Sequence, residues 1–217
     1  MRYLYGKYGC TSPNIKEYKI STQSDLAKGT IMAVCENGVI APMDEQTTMV
    51  AGILANNYEA NENILNPESG KGYAKINLSE GIYSICAPVF VSKGGSASTL
   101  VVSDEKMALV SASEFIGGKL VLKAKSKEST NTDELLSERT IIGFSVSGTD
   151  CTFTLSEGSA PCADDEYVFY PKIGFSALGY TDDTQNFGVC KNGLARVIAN
   201  DEKNAQCHIV LTNALCK

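Results

Sequence analysis

The sequence has no tryptophan, one histidine and no Cys-x-x-Cys pair among its 217 residues. Sugar rings commonly stack on aromatic faces, so the lack of tryptophan disfavours a carbohydrate cleft. No apolar run approaches the roughly 18–20 residues that a membrane-spanning helix needs. No segment keeps a helical period over three turns. The sequence therefore predicts no membrane span and little helix.

The single histidine, His208, follows Cys207 in an apolar stretch that is predicted to be a strand. Neighbouring residues of a strand point to opposite faces, so these two side chains are not expected to form a nucleophilic pair. A hydrolase site formed by two carboxylates from distant strands stays open as an alternative. No motif identifies such a pair, and the protein is predicted not to be an enzyme.

Two acidic segments are the candidates for a calcium site: Asp182-Asp183 with Asn186, and residues 164–166. Neither has the spacing of an EF-hand loop, and the closely spaced Cys or His ligands of a zinc site are absent. The glycine-lysine stretches at 117–119 and 70–72 lack the complete phosphate-loop pattern and are predicted to be turns. No metal and no cofactor are predicted.

The chain has eight cysteines. Its first residues lack the apolar core of a signal peptide, so folding in the cytosol with reduced thiols is expected. Several cysteines lie in apolar runs, where the thiol acts as a small hydrophobic group. Free, buried cysteines are therefore predicted. Cys151 and Cys162, which flank a predicted hairpin, are the best candidate pair if oxidation occurs.

Charge is unevenly distributed along the chain. Residues 1–24 contain four basic side chains and one acidic one, a balance of +3. Because the whole chain carries −6, the remainder carries −9. The acidic body argues against general nucleic-acid binding. The basic, tyrosine-rich first segment is typical of an arm that docks on an acidic partner; an edge strand with solvated lysines is the alternative.

Many short apolar or β-branched runs between turn signals predict an all-β fold with little helix. The predicted strands cover residues 17–20, 30–35, 39–42, 49–54, 73–78, 81–91 (broken at Pro88), 99–103, 106–111, 118–124, 141–146, 151–155, 167–170, 173–177, 187–190, 194–199 and 206–212. One helical turn is expected at 133–136, and an acidic loop at 160–166.

The predicted organisation is an extended N-terminal arm followed by two small, barrel- or sandwich-like β domains. The arm covers residues 1–24, and the domains cover 25–95 and 96–217. The boundary is predicted at the small-residue hinge Lys93-Gly94-Gly95-Ser96, because glycine and serine favour irregular backbone.

The first domain begins with a strong hairpin signal, Asn37-Gly38 between two apolar runs, which is typical of a type I′ turn. Four stretches carry a resemblance to a known family: residues 28–34, 38–42, 50–55 and 82–90. Over about residues 25–91 the chain resembles the lambda-type head decoration proteins of tailed bacteriophages. The sequence continues for about another domain's length beyond that family's pattern.

This resemblance implies a capsid decoration, or cement, protein that binds the outside of a phage head and stabilises contacts between capsomers. The implied partners are the major capsid protein and other copies in a homotrimer, with no nucleic acid and no membrane. The implied location is the virion exterior, after synthesis in the host cytoplasm. The implied capsid-contact residues are Arg2, Tyr3, Tyr5, Lys7, Tyr8, Lys16, Tyr18 and Lys19.

Other functions stay open at this point. A phage fibre or adhesin-type module would use the predicted loops at 56–72, 160–166 and 180–187 to recognise a surface ligand. A tail-tube or head-completion protein would form rings. A hydrolase is the remaining alternative.

Overall fold

The computed structural model describes residues 2–6, 15–20, 24–35, 40–44, 47–58, 73–78, 81–180 and 187–212. Strands dominate these ranges, which confirms the predicted all-β fold. Their helical content is one four-residue helix, α1 (Ala112–Phe115), and 3-10 helices at Met107–Leu109 and Glu202–Asn204. None of the helices in these ranges is long and apolar enough to cross a bilayer.

The strands of the described ranges form three antiparallel sheets. In chain order they are β1 (Arg2–Gly6), β2 (Ile15–Lys19), β3 (Ile31–Val34), β4 (Ile40–Pro42), β5 (Val50–Leu54), β6 (Tyr73–Leu78), β7 (Gly81–Cys86), β8 (Val89–Ser96), β9 (Thr99–Ser103), β10 (Lys119–Ala124), β11 (Glu138–Ser147), β12 (Asp150–Leu155), β13 (Ala163–Tyr170), β14 (Leu178–Tyr180), β15 (Phe187–Val189), β16 (Ala195–Asp201) and β17 (Gln206–Leu211). One sheet has the order β2-β6-β5-β3-β4 and another β1-β7-β17-β16-β14-β15. The third is a closed barrel, β10-β11-β12-β9-β8-β13.

The prediction of a strand at 106–111 is wrong because local hydrogen bonds compete with the sheet. The Asp104 carboxylate accepts a bond from the Met107 N–H (2.8 Å), and the Asp104 carbonyl accepts one from the Ala108 N–H (3.0 Å). A side chain that captures nearby backbone donors in this way favours a helical turn. The segment accordingly forms a 3-10 helix.

Two further local predictions are wrong. Residues 173–177 form no strand, because the Phe175 N–H bonds back to the Lys172 carbonyl (3.1 Å) and closes a turn. Residues 133–136, expected to form a helical turn, form none; residues 134–137 instead form a β-turn closed by the Ser137 N–H and the Glu134 carbonyl (3.1 Å).

Strands β3 and β5 are buried on both faces, which explains their continuous apolar sequence. Met32, Ala51 and Leu54 belong to a small cluster of the five-stranded sheet. Ile31 and Ile53, on the opposite face, belong to the main core. The predicted 25–54 module is therefore packed between two apolar layers; its turn residues 36–39 lie outside the described part of the chain.

Strand β5, which contributes side chains to both apolar layers, contains a β-bulge. Met32 pairs with Gly52 and Ala33 with Val50, so Ala51 is the extra residue on β5. The sheet also curls until its edges approach each other. Ile20, directly after β2, bridges Ile40 on β4.

Phenylalanine fills the centre of the barrel. Six of the seven phenylalanines form one cluster with ring centroids 4.2–5.9 Å apart: Phe90, Phe115, Phe144, Phe153, Phe169 and Phe175. Helix α1 supplies Phe115, whose side chain is fully buried. The same core continues into the six-stranded sheet through Leu178, Val197 and Ile209.

The predicted domain boundary at 95 and 96 falls inside β8 rather than in a hinge. Gly94 and Gly95 pair with Val101 and Leu100 of β9 in a hairpin. Hydrogen bonding also crosses the boundary, since β7 pairs with β17. Gly95 allows a close backbone approach, because a Cβ on it would lie 2.1 Å from the Thr99 carbonyl oxygen.

Gly95→Ala is therefore expected to lower the free energy of unfolding by about 1–3 kcal/mol, because the backbone has to move away from the new methyl group. Urea denaturation monitored by circular dichroism measures this. Gly148→Asn is the control, since Gly148 has φ +63° with no atom near a Cβ, and asparagine tolerates that conformation. Equal stabilities of the two variants would contradict the close approach at Gly95.

Candidate functional site

The residues implied to contact a capsid are divided between two sheets instead of forming one extended arm. Arg2, Tyr3 and Tyr5 lie on β1, which pairs with β7, and Lys16, Tyr18 and Lys19 lie on β2, which pairs with β6. Lys7 and Tyr8 lie outside the described residues. An edge strand offers one backbone side to a further strand, so β1 is a candidate for strand addition.

A fully buried carboxylate, Asp165 at the start of β13, organises one end of the barrel. It accepts hydrogen bonds from the N–H groups of Ser126 (2.9 Å) and Cys162 (3.1 Å), from Ser129 Oγ (3.1 Å) and from Asn131 Nδ2 (3.1 Å). Burial by itself raises the pKa of this carboxyl group, but the four donors outweigh burial and lower the pKa below its ordinary value.

Asn131 connects this carboxylate to the barrel. Its side-chain amide donates to Asp165 and to the Tyr167 hydroxyl (3.0 Å), and its Oδ1 accepts a bond from the Asp133 N–H (3.0 Å). Burial, with the nearby charge of Asp165, raises the pKa of Tyr167 to about 12. Tyr167 therefore stays protonated at neutral pH.

Arg139 holds the neighbouring loops. The residue is 2% exposed, and its side chain donates to the carbonyls of Ser156 (3.0 and 2.8 Å), Ser159 (3.0 Å) and Ala97. Gly158 leaves room for it, because a Cβ there would lie 2.8 Å from Arg139 Nε. One guanidinium thus joins the β8–β9 turn to the segment after β12.

We call Asn131, Arg139, Asp165 and Tyr167 the barrel-loop cluster. The hydrogen bonds of Asp165 and Asn131 hold the 125–137 loop against β13. Those of Arg139 hold the β8–β9 turn and residues 156–159 beside it. The sequence does not indicate this cluster, because residues 160–166 predict an acidic loop, whereas β13 already begins at Ala163. The serines, threonines and asparagine of 126–132, residues that often bond to backbone, were the available signal.

A cavity of about 190 Å³ lies beyond the other end of β9. Among its described lining residues, Leu109, Tyr180 and Leu194 are apolar or aromatic, and Lys106 and Lys191 are basic. The Lys106 Nζ lies 5.0 Å from the centre of the Tyr180 ring. The cavity therefore combines apolar walls with positive charge.

Six cysteines lie in the described part of the chain, and all six are free thiols: Cys35, Cys86, Cys151, Cys162, Cys190 and Cys207. The candidate pair of Cys151 and Cys162 is accordingly not a disulfide in this structure. Burial raises the pKa of Cys207 to about 12 and that of Cys151 to about 11. These two thiols are poor nucleophiles, since the thiolate is the reactive form.

The other predicted sites are located as follows. His208 pairs with Ser84 across β17 and β7, while Cys207 is buried in the main core. Gly117 and Gly118 form the predicted turn after α1, whereas residues 70–72 and the Asp182-Asp183 candidate lie outside the described ranges. Within those ranges, no three His, Cys, Asp or Glu side chains are grouped closely enough to hold a metal ion.

Comparison with known proteins leaves the family open. Neither a protein-family model, nor a curated protein, nor a solved structure matches this chain.

Proposed function

We propose that this protein is a structural component of a phage virion, a decoration protein that binds the outside of the head and stabilises contacts between capsomers. The observation that carries the proposal is the position of the basic N-terminal segment, which supplies strand β1 to a sheet edge. A strand in that position can extend its sheet onto a partner while its positive charge is attracted to an acidic shell.

The family resemblance over residues 25–91 also supports the proposal. In the structure, these residues supply β3 to β6 of the five-stranded sheet, β7, and the beginning of β8. Strands β3 and β5 are anchored in two apolar layers. Such a body holds the N-terminal strands against a firm support, as a protein that reinforces a shell requires.

Charge reversal on β1 and β2 tests the proposal. The variant Arg2→Glu with Lys16→Glu and Lys19→Glu is expected to bind expanded phage heads at least about tenfold more weakly, because attraction becomes repulsion. Cosedimentation with purified expanded heads that lack the protein measures the affinity. Thermal unfolding followed by circular dichroism checks that the body of the variant stays folded.

The matched control reverses the same number of charges elsewhere. Arg196, Lys127 and Lys203 are exposed and lie outside β1 and β2. Their replacement by glutamate is expected to leave head binding within about twofold of wild type. Equal loss in both triple variants, or a wild type that does not bind heads, would overturn the proposal.

A further inference from the structure

The turn at 134–137 contains two exposed leucines that the fold does not use. Leu135 is 58% exposed and Leu136 is 74% exposed. Leu136 also has φ +70°, at the turn position where glycine or asparagine is preferred. A leucine in this conformation strains the backbone and gains little burial in return. A contact of Leu136 with another molecule would explain a leucine at this position.

The strained turn is held in place by its neighbours. The Leu136 N–H donates to the Leu122 carbonyl (2.8 Å), and the Leu122 N–H donates to the Ser137 carbonyl (3.1 Å). On the preceding side, the Asp133 carboxylate accepts a bond from the Ser159 N–H (2.9 Å). The two leucines are thus presented in a fixed position, which lowers the entropy lost on binding.

The cavity beside Lys106 and Lys191 has complementary chemistry. Its apolar walls suit a leucine side chain, and its volume of about 190 Å³ has room for one. Leu109 at the cavity is 65% exposed and offers a surface for a second leucine. The lysines suit the acidic residues that precede Leu135, namely Asp133 and Glu134.

The turn and the cavity lie toward opposite ends of the barrel. Asp133 of the 125–137 loop accepts a bond from the Ser159 N–H, and Arg139 donates both to the Ser159 carbonyl and to Ala97, in the turn before β9. Lys106 follows the other end of β9, where Ser103 pairs with Asp150. Two complementary surfaces at opposite ends of a chain suit a head-to-tail contact between copies.

We propose that the 134–137 turn of one copy docks into the Lys106–Lys191 cavity of a second copy, with Leu136 inserted and Leu135 against Leu109. The contact joins two different surfaces, so each terminal copy keeps one surface unused. Association then continues until a ring closes or a filament forms. This inference does not depend on the proposed binding to phage heads.

The variant Leu136→Gly removes the side chain that forms the proposed contact but is expected to keep the fold. Glycine prefers the φ value that Leu136 adopts, so the variant is expected to unfold at the wild-type temperature or above it. Its association constant is expected to fall at least about tenfold, because the inserted side chain is gone. Sedimentation equilibrium up to about 1 mM protein, a range that includes weak contacts, measures association. Ile142→Ser, at another exposed apolar site, is expected to associate like wild type.

A mixing experiment tests the head-to-tail geometry. The cavity variant Leu109→Asp with Lys191→Glu changes two exposed residues and is expected to be monomeric alone. Mixed with Leu136→Gly, it is expected to form one-to-one dimers that do not grow, since each variant retains the surface that the other has lost. A wild type that stays monomeric, a Leu136→Gly variant that associates like wild type, or a mixture without dimers would each overturn the proposal.

Discussion

Replacing Arg139 with methionine is expected to lower the free energy of unfolding by about 3 kcal/mol or more. Methionine fills much of the same space but donates no hydrogen bonds, so the carbonyls of Ala97, Ser156 and Ser159 lose their donor. Arg139 makes four hydrogen bonds, and a hydrogen bond that involves a charged group is worth about 1.5–3 kcal/mol. Urea denaturation followed by circular dichroism measures the change.

Two further variants make the Arg139 result specific. Arg139→Lys keeps the charge, but its compact ammonium group cannot match the planar fork of a guanidinium, so an intermediate loss is expected. Arg196→Met removes an exposed arginine from β16 and is expected to change stability by about 0.5 kcal/mol or less. An Arg139→Met variant as stable as Arg196→Met would show that Arg139 does not hold the loops.

Replacing Asp165 with asparagine is expected to lower the free energy of unfolding by about 2–4 kcal/mol at neutral pH. The carboxylate accepts four bonds, and hydrogen bonds to a charged group are worth about 1.5–3 kcal/mol each. An asparagine side chain would turn an N–H group toward donors that need an acceptor. Asp164→Asn is the matched control, because Asp164 is exposed with φ +64°, which asparagine tolerates.

The effect of Asp165 has a predictable pH dependence. Its pKa is lowered in the folded protein, so its stabilising contribution is complete above the unfolded pKa of about 3.9 and disappears as pH falls through the lower folded pKa. The difference in unfolding free energy between wild type and Asp165→Asn is expected to be constant from about pH 7 to pH 5 and to shrink below about pH 4. A difference independent of pH down to about pH 2 would contradict an ionised Asp165.

The Asp165→Asn variant also tests how the 134–137 turn is supported. The barrel-loop cluster holds the loop that carries Leu135 and Leu136, so loosening it at Asp165 is expected to weaken association between copies as well as stability. Leu136→Gly is expected to weaken association without lowering stability. Comparing the two variants distinguishes the support of the turn from its contact surface.

The sequence by itself determined the fold class and the positions of most strands. Tyr73–Leu78 and Thr99–Ser103 are strands with the predicted bounds, because alternating or β-branched residues between turn residues specify extended backbone locally. The turn at 147–150 is equally local, since Gly148 adopts the positive φ that favours glycine. Such signals need no knowledge of the rest of the chain.

Only the tertiary structure decided which strands are neighbours and which charges are buried. The pairing of β7 with β17 joins segments more than a hundred residues apart, and no period in either strand identifies its partner. In sequence, Asp165 is one of several acidic residues and Arg139 one of several cations. Their burial follows from loops that meet only when the barrel closes. These buried charges remain stable because backbone and side-chain groups of other segments supply hydrogen bonds to them.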